Sequence, residues 1–130
     1  MVVHVGHSWV VGLLLSSLGA FASGGVIGTY SSLRYNSESG DLNGLEITVV
    51  PTDSGLIAVV ELAEDGINEL HLAKVKKSDG KLLFAPRLDD GTEVRFSMEC
   101  TPRVCKGTYH WGRALIKFEL PKSHGFWNRE

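Results

Sequence analysis

The sequence predicts an all-β domain, a small antiparallel up-and-down meander of about eight strands forming a closed or partly open barrel. Three observations predict it. Apolar and polar residues alternate at period two through much of the chain. Turn clusters of Gly, Pro, Asp and Ser recur about every 8–12 residues. No window beyond the N-terminal apolar run carries a helical stripe.

Taken in order, Ile27 to Tyr35 (IGTYSSLRY) is rich in aromatic and hydroxyl residues and reads as the first strand. SESGDLNG is a loop; its Asp-x-Asn-Gly faintly resembles a calcium loop, but it lacks the alternate acids and bidentate Glu that the ion needs. Leu45, Ile47 and Val49 alternate with Glu46 and Thr48 as a second strand. Pro51-Thr52-Asp53-Ser54-Gly55 stops it. Leu56 to Leu62 is apolar except for Glu61, so both faces are candidates for burial. After Glu64-Asp65-Gly66, a strand over Asn68 to Lys77 turns at Ser78-Asp79-Gly80 into its partner, Lys81 to Ala85. Leu88-Asp89-Asp90-Gly91 leads into the last three strands.

The clearest alternation lies there. Val94, Phe96, Met98 and Cys100 face one way, and Arg95, Ser97 and Glu99 the other. Thr101-Pro102-Arg103 turns the chain into Val104 to Tyr109. His110-Trp111-Gly112 makes the next turn, or else Gly112 marks a β-bulge within one longer strand. Ala114, Ile116, Phe118 and Leu120 then repeat the alternation.

Cys100 and Cys105 flank the first of these turns and can face each other across the ladder. A disulfide is the favoured reading, with reduced thiols and half of a metal site as the alternatives. Zinc needs two more soft ligands, and the chain has only these two cysteines. No metal site and no cofactor is expected.

The first residues read as an export signal. The apolar run Trp9 to Leu18 has the length of a signal core, and Ala20-Phe21-Ala22 offers a small-x-small cleavage site. No Lys or Arg precedes Arg34, an atypical start for a signal. The domain reading is therefore a signal peptide over 1–22 and one β-barrel domain over 23–130, in a secreted or periplasmic protein. A net charge of −2 gives no reason to expect nucleic acid as a partner.

Gly28-Thr29-Tyr30 in the first strand, with Arg113 or Arg129 late in the chain, resembles the calycin superfamily of lipocalins, avidins and their kin. The resemblance implies an up-and-down barrel in which Tyr30 closes one end and an arginine stacks on its ring. The opposite end would then be the mouth.

Catalytic residues are sparse. His4 and His7 lie in the signal, His71 in a strand, His110 in a turn and His124 in the tail. There is no Gly-x-Ser-x-Gly, no His-x3-His and no phosphate loop. The expectation is a binding module, not an enzyme. Tyr30, Trp111, Phe126 and Trp127 are the candidate ligand- or partner-binding residues, since aromatics at strand ends either cap a barrel or anchor a partner. A small apolar ligand in the barrel mouth is the first reading. A protein partner, as for an inhibitor of a secreted hydrolase, is the second, and a structural role in the envelope the third. Lys74, Lys76, Lys77 and Lys81 cluster on one hairpin; guarding a strand edge is the preferred role, and contact with an anionic membrane surface the lesser one.

Overall fold

A computed structural model describes residues 26–64 and 70–125. The expected signal segment and the candidates Phe126 and Trp127 lie outside the described residues. So does Arg129. Among the described residues ten strands form one antiparallel sheet: β1 (Gly28–Ser31), β2 (Arg34–Tyr35), β3 (Leu42–Thr52), β4 (Gly55–Ala63), β5 (Leu70–Lys74), β6 (Lys76–Ser78), β7 (Lys81–Phe84), β8 (Val94–Cys100), β9 (Val104–Trp111) and β10 (Ala114–Ser123). Their order is β5-β4-β3-β1-β10-β9-β8-β7-β6, with β2 paired to β3. The two ends of that path, β5 and β6, are consecutive in the chain, so the sheet curls into a nearly closed barrel with one unsealed seam.

The ten strands are the eight expected ones with two of them interrupted. Ser31 pairs with Glu46 and Arg34 with Asn43, so β1 and β2 keep one register on β3 across a break at Ser32-Leu33. At the break the Ser32 hydroxyl accepts from the Leu45 N–H at 3.1 Å. Gly44 lies beneath it at φ 126°, and a Cβ there would overlap the Ser32 backbone. Glycine is required on both counts. The second interruption is at Val75, whose N–H donates to the Leu56 carbonyl at 2.9 Å. Before it, β5 pairs with β4; after it, β6 pairs with β7.

Two turn boundaries differ from the expectation. Pro51 does not end its strand: β3 runs on to Thr52, and the hairpin turns on Asp53-Ser54 alone. Beyond Val49, β3 has left β1 behind, and a proline nitrogen is tolerated on such an edge. His110 and Trp111 belong to β9, and the hairpin turns on Gly112 and Arg113, with Gly112 at φ 61°. The turn reading of Gly112 thus holds over the bulge.

The inner face of β7–β10 is built of rows fixed by register. Phe84, Phe96, Tyr109 and Ile116 form one row; Leu82, Met98, Gly107 and Phe118 the next; Cys100, Cys105 and Leu120 the last. Phe84 stacks on Phe96 at 4.9 Å and Phe96 on Tyr109 at 5.0 Å, between ring centroids. Gly107 has no room for a side chain, because a Cβ would collide with the Ser97–Met98 backbone. The gap leaves Phe118 free to meet both Phe96 and Tyr109 at 6.1 Å. Leu45, Ile47 and Val49 from β3 and Ala58, Val60 and Leu62 from β4 complete one core.

The outer face is drier than the alternation suggests. Glu46 and Glu61 are cross-strand neighbours there, yet both are buried, and each has a partner. Ser31, Leu33, Leu42 and Ala63 are buried alongside them, so this part of the wall is covered. Alternation by itself does not reveal that burial.

Candidate ligand-binding site

The register sorts the aromatic residues to the two ends of the barrel. At one end Tyr30 pairs with Ile47 and Lys122, near the row that holds the cysteines. Cys100 and Cys105 face each other directly and form the expected disulfide, with Cys105 fully buried. The Lys122 N–H donates to the Arg103 carbonyl at 2.7 Å and ties β10 to the turn that the disulfide brackets. Tyr30 is wholly buried, and its hydroxyl donates to the Val26 carbonyl at 3.3 Å. It is a core residue. Burial pushes its phenol above the ordinary value.

The arginine contact implied for Tyr30 is not made by Arg113. That residue lies in the β9–β10 turn, nine positions from Lys122. At strand spacing this is about 30 Å. A lysine occupies the neighbouring position instead: a Cβ on Gly28 would come 3.1 Å from Lys122 Cε.

Among the described residues the other end is open. β1 and β10 are paired only at Thr29–Ser123 and Tyr30–Lys122. Toward the β9–β10 turn, β2 and β10 part, and a pocket of about 450 Å3 lies inside the gap. Its walls are Leu45, Leu62, Tyr109, Trp111, Ile116 and Phe118. Ser32, Asn43, Glu64 and Lys117 stand around them as the polar rim. Tyr109, Trp111, Ile116 and Phe118 are each half-buried, whereas their strand partners Val94 and Phe96 are fully inside. Burial raises the Tyr109 phenol, and the Glu64 charge beside it raises it further. The pocket thus combines an aromatic floor with the neutral hydroxyls of Tyr109 and Ser32 and charges of both signs. That suits a small apolar molecule carrying one or two polar groups.

Of the four candidate residues, then, Trp111 lines this pocket and Tyr30 supports the opposite end. Tyr109, Ile116 and Phe118 were missed, although strand parity contains them: Tyr109 lies two residues before Trp111 and therefore on its face. Leu45 and Leu62 depend on how the two halves of the sheet meet, which has no local signature. His71 pairs with Val60 on the inner side, half-buried as expected for a strand residue. The lysines divide: Lys74 and Lys76 share the outer face, while Lys77 alternates to the other, opposite Leu82. Among the described residues no group of three His, Cys, Asp or Glu side chains is placed to hold a metal ion. No protein-family model, no curated protein and no solved structure matches this chain.

Proposed function

We propose that this chain is a non-enzymatic binding module, exported by a signal segment over 1–22, whose barrel mouth holds a small, mainly apolar ligand. One observation carries the reading. Among the described residues one core cluster packs the interior, and at one end half-buried aromatics surround about 450 Å3. That volume is at the small end of ligand pockets. Tyr109, Trp111 and Phe118 supply flat apolar surface at little cost in side-chain entropy. The Cys100–Cys105 bond fits an oxidising compartment, as export requires.

The test is native mass spectrometry of protein purified from its own host, followed by fluorescence titration of the retained molecule. Trp111→Ala should weaken binding at least tenfold, whereas Cys100→Ala with Cys105→Ala, at the far end, should leave it within twofold. Native protein that carries nothing, together with no response to a panel of apolar small molecules, would sink the proposal. Export has its own check: N-terminal sequencing of the mature protein should begin at Ser23, and retention of Trp9 would refute cleavage. A protein partner is the second reading, favoured by Leu70 and Leu72, which stand 61% and 67% exposed on strand β5.

A further inference from the structure

The seam of the barrel is itself a groove, and its chemistry differs from that of the mouth. Extending the Lys76–Leu83 register by two residues would set Lys74 opposite Ala85. Instead the strand bends at Val75, and Lys74 pairs with Ile57 on β4. The wall therefore steps apart between Lys74 and Ala85, leaving a groove of about 530 Å3. Alternation is unbroken through the bend, so Lys74 and Lys76 overhang the same outer face. On that face Leu83 pairs with Ser97 and Ser97 with Thr108, while Arg95 pairs with His110. All of these line the groove.

The lining holds two lysines, an arginine and a histidine, and no carboxylate. Among the described residues no acid pairs with Lys74, Lys76 or Arg95. The ion pairs Arg87–Glu93 and Lys106–Glu119 lie elsewhere on the barrel. Three formal positive charges around one groove repel each other, which is notable in a chain whose net charge is −2. An anion relieves that repulsion. Lysines offer rotatable point charges, arginine a planar fork, and the Ser97 and Thr108 hydroxyls donate between them, a set that matches a tetrahedral oxyanion. Leu83 and Ala85 add an apolar floor that a bare ion would leave unused.

We propose that the seam groove binds a phosphate monoester with an apolar substituent. Its phosphate sits among Lys74, Lys76 and Arg95 with Ser97 and Thr108 donating, and its hydrocarbon part lies over Leu83 and Ala85. A soluble ester and a lipid headgroup share that chemistry. Two probes separate them, n-octyl phosphate below its micellar concentration and phosphatidylcholine vesicles containing phosphatidic acid. Calorimetry should show saturable binding of at least one probe by the wild-type protein, weakening as salt rises. Response to octyl phosphate indicates a soluble ligand or a headgroup; response to vesicles alone indicates the membrane. Lys76→Gln with Arg95→Gln should weaken either at least tenfold while the thermal midpoint stays within a few degrees, since both side chains are exposed. Lys76→Glu alone should also weaken binding. Trp111→Ala should not, because the mouth is a separate site. The proposal is overturned if the wild type binds neither probe, if the double variant binds as well as the wild type, or if Trp111→Ala abolishes binding.

Discussion

The two ends of the barrel use aromatic residues in opposite ways. At the closed end Tyr30 is wholly inside, hydrogen-bonded to Val26, beside Leu120 and the buried Cys105. At the open end Trp111, Tyr109 and Phe118 stay half-buried around space that no described side chain fills. The distinction is one of topology. The closed end has the β1–β10 ladder and the hydrogen bond from Lys122 to the bracketed turn. At the open end the same two edges diverge. An aromatic ring supplies packing energy where the sheet closes around it, and a binding surface where the sheet does not.

The strongest way to break this comparison is to truncate one ring at each end. Tyr30→Ala removes a fully buried ring and should cost about 3–5 kcal/mol, a large share of the stability of a domain this size. Trp111→Ala should cost about 1–2 kcal/mol, since its ring is only half-buried. Urea unfolding of both variants measures the difference. Equal losses would mean that the open end is part of the core. The ligand affinity should respond in the reverse order, with Trp111→Ala the more damaging.

The disulfide provides a smaller contrast. It closes only a short loop, so replacing Cys100 and Cys105 by alanine should cost about 2 kcal/mol in the chain-entropy account. The loss belongs to the closed end and should leave the mouth's affinity unchanged. Intact mass before and after reduction must differ by two hydrogens. A loss above about 4 kcal/mol would show that the bond supports the core as well as the turn.

How far the sequence reveals all this depends on whether a feature is local. The β8–β9–β10 meander and the disulfide were legible because alternation, a proline turn and two cysteines lie within one short stretch. Strand parity also places Tyr109 with Trp111. The bend at Val75 was not legible. Residues 70–78 alternate without a break, so nothing local shows that the first part pairs with β4 and the second with β7. The seam groove depends on that switch, and Arg95 and Lys76 come together only through it. The buried Glu46–Glu61 pair was hidden for a similar reason: alternation assigns a face, and tertiary contact decides whether that face is wet. Gly44 likewise reads as a loop glycine until the Ser32 backbone is seen above it.

The finest test uses two tyrosine phenols, one near each end. In the folded chain both Tyr30 and Tyr109 hold their protons above the ordinary tyrosine range, through burial and, at Tyr109, through Glu64 as well. The unfolded chain ionises its tyrosines near pH ~10. Between that value and the raised folded values, the unfolded state binds fewer protons than the native one, so stability falls as pH rises. The contribution is complete below about pH 10 and lost through the folded values. Lysines titrate in the same range, so the informative quantity is the difference between wild type and variant. Tyr109→Phe keeps the ring stack on Phe96 and should flatten the alkaline decline of the thermal midpoint. Glu64→Gln, which removes only the charge, should flatten it less. Tyr30→Phe should also flatten it, and near neutral pH should cost no more than about 1 kcal/mol, because its hydrogen bond is long. Ligand in the mouth would bury Tyr109 further and steepen the decline, while leaving Tyr30 as it was. An alkaline profile that responds to ligand in wild type but not in Tyr109→Phe therefore locates the ligand at the open end. A response that survives the substitution places it elsewhere.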